Sequence, residues 1–354
     1  MVKVLIVDDS AFMRNALTAM LSSDPEISII GTARDGQEAV EKVALLRPDI
    51  VTMDVEMPRM DGITAVKHIM AATPVPVIMV SSLTIDGARE TLDALDSGAV
   101  DFIPKNLSEL SVNIVKIKEL LIDKVKQIGR QGMKRRAMRP VAQPGAAIRH
   151  VEPQEPLVVR STGQRRVTIV AIGTSTGGPR ALQDIIPKLP KEFPVPVVIA
   201  QHMPPNFTKP FAERMNYLSQ LTVKEAEDGE LVRNGVVYIA PGRGHMRLVR
   251  RRGIETVISI SEDRENFIYR PSVDALMASV AEFFPGRALG VILTGMGNDG
   301  MKGMAEMKKG GSRLFAQNEE TCVVYGMPKA VVDAGLADKI LAIEEIAGEI
   351  VNSV

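Results

Sequence analysis

One cysteine, Cys322, stands in a chain of 354 residues, which excludes an intrachain disulfide and any cysteine-rich zinc site. Tryptophan is absent and aromatic residues make up 4% of the chain, too few for the stacking platforms on which proteins lay single-stranded nucleic acid. Net charge is missing as well. Lys plus Arg and Asp plus Glu number 43 each, so no global field draws in nucleic acid or an anionic membrane. The apolar run in "MVKVLIVDDS" is too short for export or for spanning a bilayer, and a reducing cytoplasm is the expected setting. There are only four histidines, which makes the search for a general base short.

The length suggests roughly two domains, each able to bury a core. Residues 1 to about 105 alternate the strand-like runs "KVLIV", "ISIIG", "DIVTM", "VPVIMV" and "AVDFIP" with helix-period stretches such as "AFMRNALTAML". Five such units predict a doubly wound, flavodoxin-like parallel sheet with helices on both faces. The amphipathic "LSELSVNIVKIKELLIDKVKQI" closes that unit, giving a first domain over 1–125. The segment 126–166, with Pro140, Pro144, Pro153, Pro156, scattered glycine and the basic cluster "KRRAMR", reads as a linker and solvated spacer. From Val167 to residue 354 the alternation resumes with "VTIVAIG", "VPVVIAQ", "VVYIA" and "ALGVILT". A second doubly wound α/β domain with a largely parallel sheet is expected there, with an antiparallel piece around "GHMRLVRRRGIETVISI".

Three acids follow strands of the first half: Asp8 and Asp9 behind "KVLIV", Asp54 behind "DIVTM". A parallel sheet gathers the carboxyl ends of its strands at one edge, so these side chains should share a crevice. Packed carboxylates repel unless a cation compensates, and a hard divalent ion such as Mg²⁺ suits oxygen ligands. Ser81 and Lys105 end later strands at the same edge. A metal, a carboxylate nucleophile, a hydroxyl and an ammonium together make a site for phosphoryl transfer. An acid at a strand end is often only a helix N-cap, but the set of five outweighs that plainer account. "VDDS", "MDVEMPRMDG", "VSS" and "DFIPK" resemble a two-component response-regulator receiver domain. The resemblance implies Asp54 as phosphoacceptor, Asp8, Asp9 and Asp54 as the Mg²⁺ site, Ser81 as the hydroxyl sensing the phosphoryl group, Phe102 as the switching aromatic and Lys105 as the family's cation. Asn106 departs from the pattern, since many receivers carry proline after that lysine.

In the second half "GTSTG" fits G-x-S-x-G, which holds a serine exposed on a tight strand-to-helix turn. Such turns also cap helices, so the motif needs a base to mean more. His68 falls in a receiver helix and His150 in the linker, leaving His202 and His245. His202 directly follows "VPVVIAQ" and should share the edge with Ser175, whereas His245 sits after the turn "APGRG". An α/β-hydrolase order would need Asp228 or a nearby Glu with His245. The order Ser175, His202, Asp299 gathers three strand ends at one edge and is preferred. "GMGNDG" is also a literal G-x-G-x-x-G, with Glu319 near the position of a ribose-binding acid. Asp299, however, would repel phosphates at the helix N-terminus that should attract them. "GTSTGGPR" lacks the lysine of a P-loop, and Cys322 has no base near it in sequence, so a buried small hydrophobe is expected.

"IGTSTGG", "QHMPPNFTKPFAERM", "YIAPG", "RPSVD", "LTGMGNDG" and "CVVYGMP" together resemble the catalytic domain of the chemotaxis protein-glutamate methylesterases, the CheB family. This resemblance implies Ser175 as nucleophile, His202 as general base, Asp299 as its orienting acid, the Met296 N–H as oxyanion donor and Thr176 as support for the histidine. It further implies a cytoplasmic hydrolase with no cofactor for the esterase step. Its substrates would be glutamate methyl esters and glutamines of methyl-accepting chemoreceptors. A chemotaxis histidine kinase would be the phosphodonor, membrane contact would be only peripheral through receptor arrays, and nucleic acid would not be a partner. The rival outputs are a DNA-reading regulator, for which no helix-turn-helix unit is evident, and a nucleotide-dependent oxidoreductase.

Overall fold

In the computed structural model, which describes residues 1–105, 114–138, 166–252, 255–262 and 269–354, the β-branched runs of the first hundred residues pair side by side. They form β1 (Val2–Val7), β2 (Ile27–Ala33), β3 (Ile50–Asp54), β4 (Val77–Ser81) and β5 (Asp101–Pro104), in the order β2-β1-β3-β4-β5. Every neighbouring pair is parallel. Parallel strands need crossovers, supplied by α1 (Ala11–Leu21), α2 (Gly36–Leu46), α3 (Gly62–Ala72) and α4 (Ile85–Asp96). Each begins at a side-chain N-cap, Ser10, Asp35, Asp61 and Thr84 in turn, that satisfies an otherwise unpaired amide.

The next helix, α5 (Ile114–Met138), is 25 residues long and continues through 126–138, where the sequence suggested linker. Two glycines that read as breakers there permit close packing instead. A Cβ on Gly129 would stand 2.4 Å from Val2 Cγ1, and one on Gly132 would stand 3.0 Å from Pro76 Cγ. The prolines of 139–165 and Asn106 lie outside the described residues.

Seven strands build the second sheet: β6 (Ile169–Thr174), β7 (Val197–Gln201), β8 (Thr222–Glu225), β9 (Val236–Ile239), β12 (Ala288–Ile292), β13 (Arg313–Gln317) and β14 (Lys339–Leu341). Their order is β14-β13-β12-β6-β7-β9-β8 and all pairs are parallel. β6, β7 and β12 are buried along their whole length, as expected where helices cover both faces. Those helices are α6 (Gly178–Ile185), α7 (Pro205–Leu218), α8 (Val273–Phe283), α9 (Met301–Lys309), α10 (Met327–Asp333) and α11 (Ile343–Val351). The expected antiparallel piece is a separate two-stranded ribbon, β10 (His245–Arg251) with β11 (Glu255–Ser261).

The two units meet along α4 and α7. Arg214 on α7 forms ion pairs with Asp93, at 2.6 Å, and with Asp96. Gln183 Nε2 donates to Asp96 Oδ1 at 2.7 Å, and Asn206 Nδ2 donates to the Leu83 carbonyl at 2.6 Å. Beside these polar contacts Phe102 of β5 stacks on Phe207 of α7, with ring centroids 4.5 Å apart and planes 7° from parallel.

Candidate active site

A topological switch lies where the chain leaves β6 to one side through β7 and to the other through β12. Open α/β sheets place their ligand crevice at such a point, beyond the carboxyl ends of the strands. Ser175 follows β6, His202 follows β7, and Asp299 lies in the loop between β12 and α9. The turn after β6 passes through Gly177 at φ 77°, a left-handed conformation that favours glycine, before α6 begins. The loop beyond β12 twice does the same, at Gly297 (φ 83°) and Gly300 (φ 98°). Backbone bonds knit the three loops together, from Ser175 N to the Thr294 carbonyl at 3.0 Å and from His202 N to the Thr174 carbonyl at 3.1 Å.

His202 Nδ1 lies 3.1 Å from Ser175 Oγ, and its Nε2 lies 2.7 Å from Asp299 Oδ2. The imidazole thus bridges a half-exposed hydroxyl and a buried carboxylate, 7% exposed. Compared with the usual serine-protease arrangement the two ring nitrogens are exchanged. Either nitrogen can accept the proton, provided the other donates to the acid. Tyr269 stacks on the imidazole ring, 4.6 Å between centroids and 11° from parallel. Asp299 Oδ2 also accepts from Val273 N at 2.7 Å, and Oδ1 from Asp274 N at 2.9 Å and Ser272 Oγ at 3.1 Å. Burial pushes the Asp299 carboxyl up, but the bond and charge of His202 and the two amides outweigh it and hold it below the ordinary carboxylate range.

Met296 is half-buried in the same loop. The preceding amide, Gly295 N, is already bonded to the Val324 carbonyl at 3.0 Å. The Thr176 carbonyl accepts from Thr294 Oγ1 at 2.9 Å. Its own hydroxyl is buried and has no hydrogen-bond partner, the imidazole included. His245 is fully buried, and its Nδ1 accepts from Ser272 N at 3.0 Å. Asp228, its possible acid, instead accepts from Ile260 N at 2.7 Å. Cys322 is buried.

Sequence reasoning missed the residues that hold this edge in register. Gln201 Nε2 donates to the carbonyls of both Ser175 and His202, each at 3.0 Å. An amide closing the apolar run "VPVVIAQ" was the available signal. Tyr269 and the start of α8 were missed too. A cavity of about 390 Å³ opens over Ser175, lined on one side by Ser175, His202, Tyr269 and Met296 and on the other by Phe102 and Lys124 from the first unit.

At the edge of the first sheet, ligand oxygens of Asp8, Asp9 and Asp54 all lie within 4.8 Å of one another. Lys105 Nζ forms an ion pair with Asp54 and lies 3.6 Å from Asp8 Oδ2, a buried oxygen that accepts no hydrogen bond. Burial raises Asp54 to about 6 despite the Lys105 bond, and burial likewise raises Asp8. One ammonium among three carboxylates leaves surplus negative charge, and an all-oxygen donor set of this kind fits a hard divalent cation. Ser81 Oγ lies 2.6 Å from Thr91 Oγ1 and 3.2 Å from the Gly87 carbonyl. Among the described residues no helix is long and apolar enough to cross a membrane.

Known proteins share both halves. The family model for CheB methylesterase matches residues 170–350, and that for the response regulator receiver domain matches 4–114. A protein-glutamate methylesterase/protein-glutamine glutaminase 1 of Oleidesulfovibrio alaskensis is 50% identical over 100% of both chains. The protein-glutamate methylesterase/protein-glutamine glutaminase of Lawsonia intracellularis is 46% identical over 100% of this chain and 99% of its own. The solved catalytic domain of the Thermotoga maritima CheB methylesterase is 47% identical, covers 54% of this chain and 100% of its own, and superposes with a TM-score of 0.52. With a methylesterase domain matched from strand β6 to helix α11 and relatives aligned end to end, this chain belongs to the CheB methylesterase family and carries a response-regulator receiver ahead of its catalytic domain.

Proposed function

We propose that the chain hydrolyses glutamate methyl esters, and deamidates glutamines, on chemoreceptors through an acyl-enzyme at Ser175. The single imidazole bridging Ser175 Oγ and Asp299 Oδ2 carries this assignment. Neutral His202 accepts the Ser175 proton on Nδ1 as Oγ attacks the side-chain carbonyl, and Asp299 stabilises the imidazolium through Nε2–H. His202 then returns the proton to the departing methoxy oxygen as the C–O bond breaks, releasing methanol, or to the amide nitrogen as the C–N bond breaks, releasing ammonia in the glutamine reaction. Water attacks the acyl-enzyme by the same base and frees glutamate. The Met296 N–H serves as oxyanion donor, a contribution of about 3 to 4 kcal/mol, and Thr176 supports the site through its carbonyl, which accepts from Thr294 Oγ1, and not through its unbonded hydroxyl.

Regulation belongs to the receiver. Asp8, Asp9 and Asp54 would hold Mg²⁺, which when bound neutralises charge on a transferring phosphoryl group. Asp54 takes the phosphoryl group from a chemotaxis histidine kinase, with Lys105 pairing its charge and Ser81 sensing the new oxygens. Repacking of Ser81 and Phe102 then loosens the contact with Phe207 and uncovers Ser175 to a protein substrate. The shared cavity of Phe102, Lys124, Ser175 and His202 supports this account, and the domain division at 1–125, 126–166 and 167–354 accompanies it with the first boundary moved to the end of α5 at Met138. We place the enzyme in the cytoplasm, touching membranes only through receptor arrays. Labelling with a serine-directed organophosphonate followed by peptide mass spectrometry tests the assignment. The adduct is expected on Ser175, and an adduct on any other residue overturns it.

A further inference from the structure

The motif "RPSVD" leads into α8, and the hydrolytic mechanism leaves it without a task. Ser272 caps α8, accepting from Ala275 N at 3.2 Å while its hydroxyl points to Asp299 Oδ1. The first amides of α8, Val273 N and Asp274 N, grip the two oxygens of the same carboxylate. The helix N-terminus therefore stabilises the Asp299 anion. Asp274 then makes the converse connection. Its Oδ1 accepts from Gly300 N at 2.9 Å and from Gly303 N at 2.8 Å, the unpaired amides that open α9. That helix starts directly after the Asp299–Gly300 turn.

Two carboxylates are thus exchanged between two helix N-termini. Asp299, on the flank of α9, is held by α8, and Asp274, on α8, holds α9. Close packing reinforces the crossing, since a Cβ on Gly303 would stand 2.5 Å from Met277 Cβ and 2.8 Å from the Asp274 carbonyl. The turn so clamped runs through Gly297 and Gly300, both left-handed and the most pliable points of the loop. The clamp ties the α9 side of this turn to α8 by two directed hydrogen bonds, and the 2.7 Å bond from Asp299 to His202 depends on where that turn holds the carboxylate.

We infer that Asp274 is a positioning residue for the hydrolytic site, fixing Asp299 against His202 by capping α9 while its own helix grips the Asp299 carboxylate. The inference rests on the Ser175–His202–Asp299 assignment. The test uses the full chain and compares Asp274→Ala, Asp274→Asn and Ser175→Ala by kcat, KM and thermal midpoint on one methylated receptor preparation. Asn keeps an Oδ1 that accepts the same two amides, so it separates the clamp from the charge. Asp274→Ala is expected to lower kcat at least tenfold with KM within twofold, and Asp274→Asn to restore at least half of the parent kcat. A merely structural role would lower the thermal midpoint and leave kcat, measured well below it, unchanged. If kcat of Asp274→Ala stays within twofold of the parent, or if Asn fails as badly as Ala, the clamp is not what positions Asp299. Turnover by Ser175→Ala would instead remove the assignment on which the inference rests.

Discussion

If the receiver covers Ser175, loosening the contact between α4 and α7 should raise basal hydrolysis without phosphorylation. Arg214 is the place to do so, because its guanidinium pairs with both Asp93 and Asp96 and takes no part in the hydrolytic site. The Arg214 side chain is 28% exposed, Asp93 54% and Asp96 30%, so solvent screens both pairs. Each is worth about 0.2 to 1 kcal/mol, and both together about 1 kcal/mol. A change of that size moves the covered-to-open ratio about fivefold. Arg214→Ala should therefore raise the basal rate about fivefold when the covered form predominates. Arg214→Glu adds repulsion of similar size and should raise it roughly 30-fold, unless the open form saturates first. The assay is methanol release from methylated receptor by the full chain, before and after saturating phosphorylation. Phosphorylated forms should differ by less than twofold, because their cover is already loosened. An unchanged basal rate in both variants would refute the covering contact, and equal changes before and after phosphorylation would show that Arg214 acts on catalysis instead.

Asp299→Asn leaves an amide opposite His202 Nε2 and forces the wrong tautomer, so kcat should fall about 10⁴-fold with little change in KM; a loss below tenfold in steady-state kinetics would exclude Asp299 from the mechanism. The pH dependence of stability has a definite sign at Asp54. Its folded pKa, about 6, lies above the ordinary aspartate value of 3.8, so the folded state binds more protons between those values and stability falls as pH rises from about 4 to about 6. In metal-free buffer Asp54→Asn should therefore melt higher than the parent at pH 7.5 and equally at pH 3.5; thermal scans at the two pH values decide, and a constant offset would be the adverse result. Added Mg²⁺ should raise the parent's midpoint and do much less for Asp54→Asn, as differential scanning fluorimetry can show. Cys322 should resist thiol reagents until urea unfolds the chain, and Cys322→Ser should keep its hydrolytic rate, whereas loss of activity with Ser175 intact would revive the thiol as nucleophile.

Much of this edge was readable in advance because a parallel sheet brings the carboxyl ends of its strands together, whatever the distance between them in sequence. That rule placed Ser175, His202 and Asp299 side by side from three short apolar runs and favoured them over the alternative of His245 with Asp228. It could not supply the supports. Gln201 acts through carbonyls, whose directions depend on turns that no side-chain pattern encodes. The hold of α8 on Asp299 depends on how two helices cross, although Ser272 at the head of an apolar period was a visible N-cap signal. The length of α5 was misjudged for a different reason. Gly129 and Gly132 look like breakers in isolation, yet an added Cβ would clash with Val2 at Gly129 and press tightly on Pro76 at Gly132, and tertiary packing outweighs the local cost of about 1 kcal/mol per glycine.

The two sheets solve one electrostatic problem in opposite ways. Each puts a buried aspartate at its carboxyl edge, 2% exposed for Asp54 and 7% for Asp299. Asp299 receives two amides at a helix N-terminus, a hydroxyl and an imidazole, which hold its carboxyl below the ordinary range despite burial. Asp54 has Lys105, but burial, with a smaller push from the charge of Asp8, raises its carboxyl to about 6. An orienting acid must keep its charge through the catalytic cycle, and four donors ensure that. A phosphoacceptor must instead form a mixed anhydride and lose the charge on one oxygen, so an environment that disfavours the bare anion pushes in the direction of the reaction. On the roles proposed for them, the same carboxylate chemistry would serve as a fixed charge in the hydrolytic unit and as a reactive one in the receiver, the difference lying in burial and in how many N–H and O–H groups each fold turns toward it.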